Sequence, residues 1–241
     1  MARIDGRAND QLRPVEILPG INRFAEGSCL IRCGNTHVLC TASVEERTPP
    51  HVPEGEGWVT AEYSMLPRAN RERSRRDISK GKLSPRSAEI QRLVGRALRA
   101  AVDLKKLGAR TITIDCDVLQ GDGGTRTASV TGGFVALSYA CWKLVEEGVI
   151  PEMPITTCVA AVSAGIVDEV PMLDLCYEED SSAMVDLNCV MNHEGEIIEL
   201  QGTGEGRAFT IAEQRQLVDL CAKGIREIQA IQKAVLEGGD A

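Results

Sequence analysis

The chain has 241 residues, 43% apolar and 26% charged, a globular composition that excludes a disordered or largely membrane-embedded class. Only 3% are aromatic, which excludes base stacking as the main grip on a nucleic acid. The net charge of −8 counts against a polyanionic partner, but residues 68–86 carry eight cations against two acids, a local +6 on a remainder of −14.

The opening "MARIDGRANDQLRP" is charged and has no apolar leader, and the longest uncharged runs, 127–142 and 153–167, are short for a membrane span. The expectation is a cytoplasmic protein with no membrane partner. Nine cysteines, an odd number without a CxxC pair, lie mostly inside apolar runs, and only three histidines accompany them. Buried thiols in a reducing compartment are expected, not disulfides or a zinc site.

In chain order, "GSCLIRCGNTHVLCTASVEE" reads as a hairpin turning at Gly34-Asn35, and the Pro- and Gly-rich stretch 47–59 as a loop. A basic arm follows at 68–82. Ser84 and Pro85 then open a helix whose stripe of Ile90, Leu93, Val94, Ala97, Leu98 and Ala101 runs on to a stop at Gly108. "TITIDCDVL" alternates as a strand, and a helix is expected over 131–147. "ITTCVAAVSAGIV", "MLDLCYEE", "AMVDLNCVMN" and "IIELQGT" read as short strands with turns at Gly165, Ser181-Ser182 and Glu194-Gly195. A last helix over 210–236 starts with a Thr210/Glu213 capping box. Groups of strands set around a few helices indicate an α+β fold in a single domain, 1–241.

Two constellations can carry chemistry. "QGDGGTRTAS" from Gln120 matches neither a GxxxxGKS/T phosphate loop nor a dinucleotide fingerprint, but small residues before a helix let backbone N–H groups converge on an anion. Thr125 adds a hydroxyl and Arg126 a forked cation; a plain loop with a solvated arginine is the alternative. Arg86, second in its helix, stands where the helix dipole disfavours a cation, a penalty of up to about 1 kcal/mol that a bound phosphate would reverse. In "LDLCYEEDSSAMVDLN", Asp174, Asp180 and Asp186 recur every six residues. On a straight strand Asp180 and Asp186 would lie about 20 Å apart, so they share a site only if the chain turns at "EDSS", as in a hairpin. Two close carboxylates suit a divalent cation or a general acid with a charged partner, and strand-end acids on a solvated hairpin are the alternative.

Several blocks in order, "RIDGRANDQLRPV", "GWVTAEYSMLPRA", "GRALRAAVDL", "QGDGGTRTAS", "DLCYEEDSSAMVDLNCVM" and "ELQGTGEG", resemble the bacterial ribonuclease PH family over essentially the full length. The resemblance implies the RNase PH fold, α+β with two similar strand-helix halves, and a homohexamer built as a trimer of dimers. It implies a phosphorolytic 3′-to-5′ exoribonuclease, reversible as nucleotide addition, that trims the 3′ extensions of tRNA precursors and other RNA. Arg86, Gly124, Thr125 and Arg126 would bind inorganic phosphate, Asp180 and Asp186 would be the catalytic carboxylates, and Arg68, Arg73 and Arg76 would grip tRNA. The same aspartates would hold Mg²⁺. The sequence does not divide their roles; Asp180 as acid and Asp186 as metal anchor is the starting expectation. Gly204 stands where a slightly bulkier small residue is expected. A catalytically silent RNA-binding ring subunit and a small-molecule kinase are the competing readings; the first lacks a reason to keep both aspartates and both arginines, the second a convincing ATP-phosphate loop.

Overall fold

The computed structural model describes residues 3–238; both ends of the expected 1–241 domain and the side chains of Ile78 and Lys80 lie outside that description. The first half is a five-stranded sheet. β1 (Val15–Pro19), β2 (Gly27–Cys33) and β3 (Thr36–Glu45) form an antiparallel meander whose second turn is the expected Gly34-Asn35, with Gly34 at φ 55°. β4 (Trp58–Met65), whose first two residues were expected in the 47–59 loop and whose remainder had no expectation, runs parallel to β5 (Thr111–Gln120) and closes the order β1-β2-β3-β5-β4. A parallel pair needs a crossover, supplied by α1 (Pro85–Arg99) and the one-turn α2 (Leu104–Leu107). The expected single helix ending at Gly108 is therefore two: α1 stops at Arg99, and Asp103 caps α2 by accepting from Lys105 and Lys106 N–H.

α3 (Thr125–Glu146) lies between the two halves. It starts six residues before the expected Thr131, because its cap is Gly124 at φ 65° with no side-chain hydrogen bond to advertise it. The helix is as long and apolar as a membrane span, yet 78% of its most apolar window is buried inside the protein. Small residues let it approach the first sheet closely: a Cβ on Gly132 would lie 2.7 Å from Ile31 and 2.9 Å from Cys40 Sγ. Cys29, Cys40 and Cys116 sit side by side on β2, β3 and β5 in that contact, all buried. A thiol fits a narrow gap and supplies polarisable packing, which accounts for three of the nine cysteines; all nine are free. The neighbouring thiols of Cys116 and Cys29, together with burial, push the Cys40 thiol up, so it packs as a neutral group.

The second half is a four-stranded antiparallel sheet ordered β7-β6-β8-β9, built from β6 (Val159–Val167), β7 (Val170–Leu173), β8 (Val185–Asn192) and β9 (Ile197–Thr203). α3 covers one face, with Val159, Ala161 and Val190 in its core, and α5 (Ile211–Glu237) covers the other, with Leu217, Cys221, Ile225 and Ile228. α5 begins at the expected capping box, with Thr210 accepting from Glu213 N–H. Two expectations fail here. Gly165 is not a turn but mid-strand in β6, opposite Asp186, where a Cβ would strike Val185 O at 2.5 Å. "YEEDSS" is neither strand nor hairpin turn but the short helix α4 (Tyr177–Ser182), so Ser181-Ser182 is its last turn. Gly204 also has a physical reason: a Cβ there would lie 2.2 Å from Arg207 O, leaving no room for a bulkier residue.

Candidate active site

The N-termini of α1 and α3 open on the same cavity, of about 330 Å³, lined by Arg86, Gly124, Thr125, Arg126, Asp180 and Asp186 among others. Neither helix has an acidic residue in its first turn. α1 is closed locally by Ser84, whose Oγ accepts from Ser87 N–H, while α3 has no side-chain cap and leaves its first amides for another partner. Gly123 at φ 75° and Gly124 at φ 65° shape the approach; a Cβ on Gly123 would lie 2.5 Å from Leu175 O. Thr125 Oγ1 lies 2.9 Å from Tyr63 OH, which ties the helix start to β4. Arg126 is 18% exposed, donates to Gln201 Oε1 at 3.0 Å and lies 3.6 Å from Glu89. Gln201 in turn donates to Glu89 at 3.2 Å, so residues of α1 and β9 set the fork's direction.

The two carboxylates meet without a hairpin. Asp180 comes from α4 and Asp186 from β8, joined by an extended Ala183. Burial pushes the Asp186 carboxyl up to about 6, reinforced by the Asp180 charge. Asp180 is also raised by burial, but Arg86, Arg126 and Arg13 pull it back. Asp186 Oδ2 accepts from Asn188 Nδ2 at 3.1 Å, while Oδ1 is buried without a partner. Two carboxylates beside cations and open helix amides can bind a phosphoryl group and pass a proton to it.

What holds this geometry is the N-terminal segment. Arg3, only 4% exposed, grips Glu179 of α4 with Nε at 2.8 Å and Nη2 at 2.5 Å, and donates to Leu173 O at 2.7 Å. Arg13 pairs with buried Asp174 through its own N–H, Nε and Nη2, and donates from Nη1 to Asp122 O. Asp174, at φ 54°, is thus a brace whose carboxyl Arg13, with Arg7 at 3.7 Å, holds below the usual range against a large burial penalty. Arg13→Ala removes both side-chain donors from that buried charge, leaving it a backbone N–H and the more distant Arg7, and is expected to cost about 3 kcal/mol in chemical denaturation; a loss under about 1 kcal/mol would contradict the brace.

All six residues expected to handle phosphate and proton transfer are in this cavity. The three arginines expected to grip tRNA are not: Arg68, Arg73 and Arg76 are exposed on the arm. Arg68 lines a neighbouring cleft with Arg71 and Asp122, and Arg76 another near Asp115 and Asp117. Arg71, which had no assigned role, reaches Glu178 of α4 at 2.7 Å. Sequence reasoning missed Gln201, Glu89, Ser163 and Asn188. Only Ser163 left a trace, as the one hydroxyl in the apolar run "VAAVSAGIV". A larger apolar cleft of about 660 Å³ beside Trp142 and Leu236 has no comparable meeting of carboxylates and arginines.

Residues 11–142 match the profile described as "3′ exoribonuclease family, domain 1", and residues 157–223 match domain 2 of the same family. The chain belongs to the RNase PH family of 3′ exoribonucleases. It is 54% identical over 237 residues to the ribonuclease PH of Syntrophomonas wolfei, covering 98% of this chain and 99% of that one. Identity to the Bacillus pumilus ribonuclease PH is 57% over 235 residues, with 97% of each chain covered. Among solved structures, an archaeal exosome core superposes with TM-score 0.76 at 25% identity, covering 96% of this chain and 91% of that one. An Archaeoglobus fulgidus exosome with RNA bound to the active site superposes at 0.77 and 24%, covering 95% and 91%, a likeness of fold. In this RNase PH family member the candidate cavity is built where the two halves of the fold meet, at the start of α3.

Proposed function

We propose that this RNase PH family member trims 3′ extensions from tRNA precursors, with inorganic phosphate bound by Arg86, Arg126, Thr125 and the amides at Gly124 as the attacking group. RNA is the substrate class and phosphorolytic 3′-to-5′ removal the reaction, as the family and its close relatives support. The observation that carries the site assignment is the meeting of two uncapped-by-acid helix N-termini, two arginines and two carboxylates in one cavity. That set also disfavours the silent ring subunit.

Attack requires two anions at bonding distance, so cations and fixed dipoles must be in place beforehand. Arg126, aimed by Gln201 and Glu89, and Arg86 at the start of α1 supply them. The phosphate oxygen bonds to the phosphorus of the last nucleotide while the bond to the preceding 3′ oxygen breaks; the products are a nucleoside 5′-diphosphate and an RNA one residue shorter. Asp186, lifted to about 6, is the proton donor to the departing oxygen, and Asp180, also raised by burial but drawn back by Arg86, Arg126 and Arg13, is its ionised partner. This reverses the starting expectation, because burial acts more strongly on the β8 position. Among the described residues no group of three or more His, Cys, Asp or Glu gathers as a metal cluster. Two carboxylates nevertheless fit Mg²⁺, which keeps most ligands as water and phosphate oxygen. Held by ionised Asp180, and by Asp186 once it has given up its proton, Mg²⁺ would neutralise charge on the phosphoryl oxygens. Nine free thiols suit a cytoplasmic setting.

The exposed arginines of the arm point to a sequence-blind grip on the tRNA body. Neutralising Arg68, Arg73 and Arg76 together is expected to weaken precursor tRNA binding and flatten its salt dependence, with little effect on short oligomers. An unchanged salt slope in filter binding would overturn the arm's role. The homohexamer, a trimer of dimers, and the action of both halves as one domain belong to the same reading; a light-scattering mass near that of one chain would contradict the assembly.

A further inference from the structure

Among the described residues, four buried side-chain polar atoms have no hydrogen-bond partner, and two of them, Ser163 Oγ and Asp186 Oδ1, line the candidate cavity. Leaving a hydroxyl buried and unpaired is unfavourable, and such a group in a folded protein calls for a ligand to explain it. Nothing about β6 needs this one. The strand is buried throughout, Ser163 is 3% exposed, and its carbonyl already accepts from Asp174 N–H at 2.7 Å. The face it shares with Val159 and Ala161 is apolar against the middle of α3 and turns polar only at the helix start.

The polar side chains across the strand register from Ser163 are engaged elsewhere. Asn188, opposite Ser163 in the strand register, gives an Nδ2 hydrogen to Asp186 Oδ2, and Gln201, opposite Asn188 on β9, is occupied with Arg126 and Glu89. Of the buried polar atoms of the two strands, what remains without a partner is one hydroxyl, able to donate and accept, and one carboxyl oxygen on the neighbouring strand. A ribose presents a matching pair: a 3′ oxygen and, on the adjacent carbon, a 2′-hydroxyl that both donates and accepts.

We propose that Ser163 reads the 2′-hydroxyl of the ribose whose 3′ oxygen departs at Asp186, and so contributes to the choice of RNA over DNA. The assignment rests on the phosphorolytic reading above.

The test compares two oligoribonucleotides of one sequence, all-ribo or with a single 2′-deoxy sugar at the penultimate nucleotide, using wild type and Ser163→Ala. Initial rates of phosphate-dependent diphosphate release are read, with the melting temperature of each protein. Wild type is expected to lose about tenfold in kcat/KM on the deoxy substrate. Ser163→Ala should lose about the same on the all-ribo substrate and nothing further on the deoxy one. Its melting temperature should equal or exceed that of wild type, since the hydroxyl bonds nothing in the protein. Equal losses by Ser163→Ala on both substrates, a raised KM for phosphate, no loss at all, or a fall of several degrees in melting temperature would each overturn the assignment. Absence of diphosphate release by wild type from the all-ribo substrate would instead overturn the phosphorolytic reading, and this assignment with it.

Discussion

Arg126→Ala is expected to reduce phosphate-dependent diphosphate release by at least about a thousandfold while leaving RNA affinity nearly intact. Arg126 stands at the open start of α3 with its fork fixed by Gln201 and Glu89, so the charge is pre-positioned and no reorganisation is needed when phosphate arrives. Only the interaction with the attacking group is removed, because RNA contacts elsewhere are untouched. Arg126→Lys retains a charge but not the two-pronged geometry, and should recover only part of the activity. Steady-state rates at varied phosphate together with equilibrium RNA binding check the prediction. A parallel loss of RNA affinity would mean that Arg126 grips the chain rather than its attacker.

The second large effect concerns Asp186. Asp186→Asn is expected to lower kcat by about 10²–10⁴-fold, the usual contribution of a positioned acid. It should also stabilise the metal-free protein. Burial lifts this carboxyl from 3.8 to about 6, so the folded state holds a proton that the unfolded state releases between those values. The sign follows: Asp186 costs stability at neutral pH, and that cost disappears as pH falls through about 6 towards 3.8. Two units correspond to about 3 kcal/mol at most, with partial exposure reducing it. The gap in melting temperature between variant and wild type should therefore be widest at pH 8, narrow as pH falls below about 6, and close only near 3.8. In the free enzyme, activity dependent on the protonated acid should fall as pH rises past about 6. A variant less stable than wild type at pH 8 would contradict this account of the Asp186 environment.

Local signals in the sequence located much of the fold. Ser84-Pro85, Gly34-Asn35 and the Thr210/Glu213 box are caps and turns whose chemistry is complete within a few residues, and each is where it was expected. The start of α3 was hidden because Gly124 caps it with no side chain, and Thr, Ser and Gly continue for a further two turns; burial between two sheets decides that segment. α4 was hidden for a different reason. Its six residues are too few to show a helical period, and Glu179 is held by Arg3, 176 residues away. In the site, Arg86 was legible because a cation in a first turn opposes the helix dipole. Gln201 and Glu89 were not, since their link to Arg126 depends on how β9 and α1 meet in space. Asp180 and Asp186 were found by residue type and family resemblance, yet their unequal environments come from burial that no spacing encodes.

The central claim is that phosphate, not water, is the attacking group. Incubating the protein with an oligoribonucleotide, Mg²⁺ and ¹⁸O-labelled inorganic phosphate tests it directly, with the released nucleotides read by mass spectrometry. The account predicts nucleoside diphosphates carrying the label in the terminal phosphate, and no release when phosphate is omitted. Unlabelled nucleoside monophosphates formed without phosphate would contradict it.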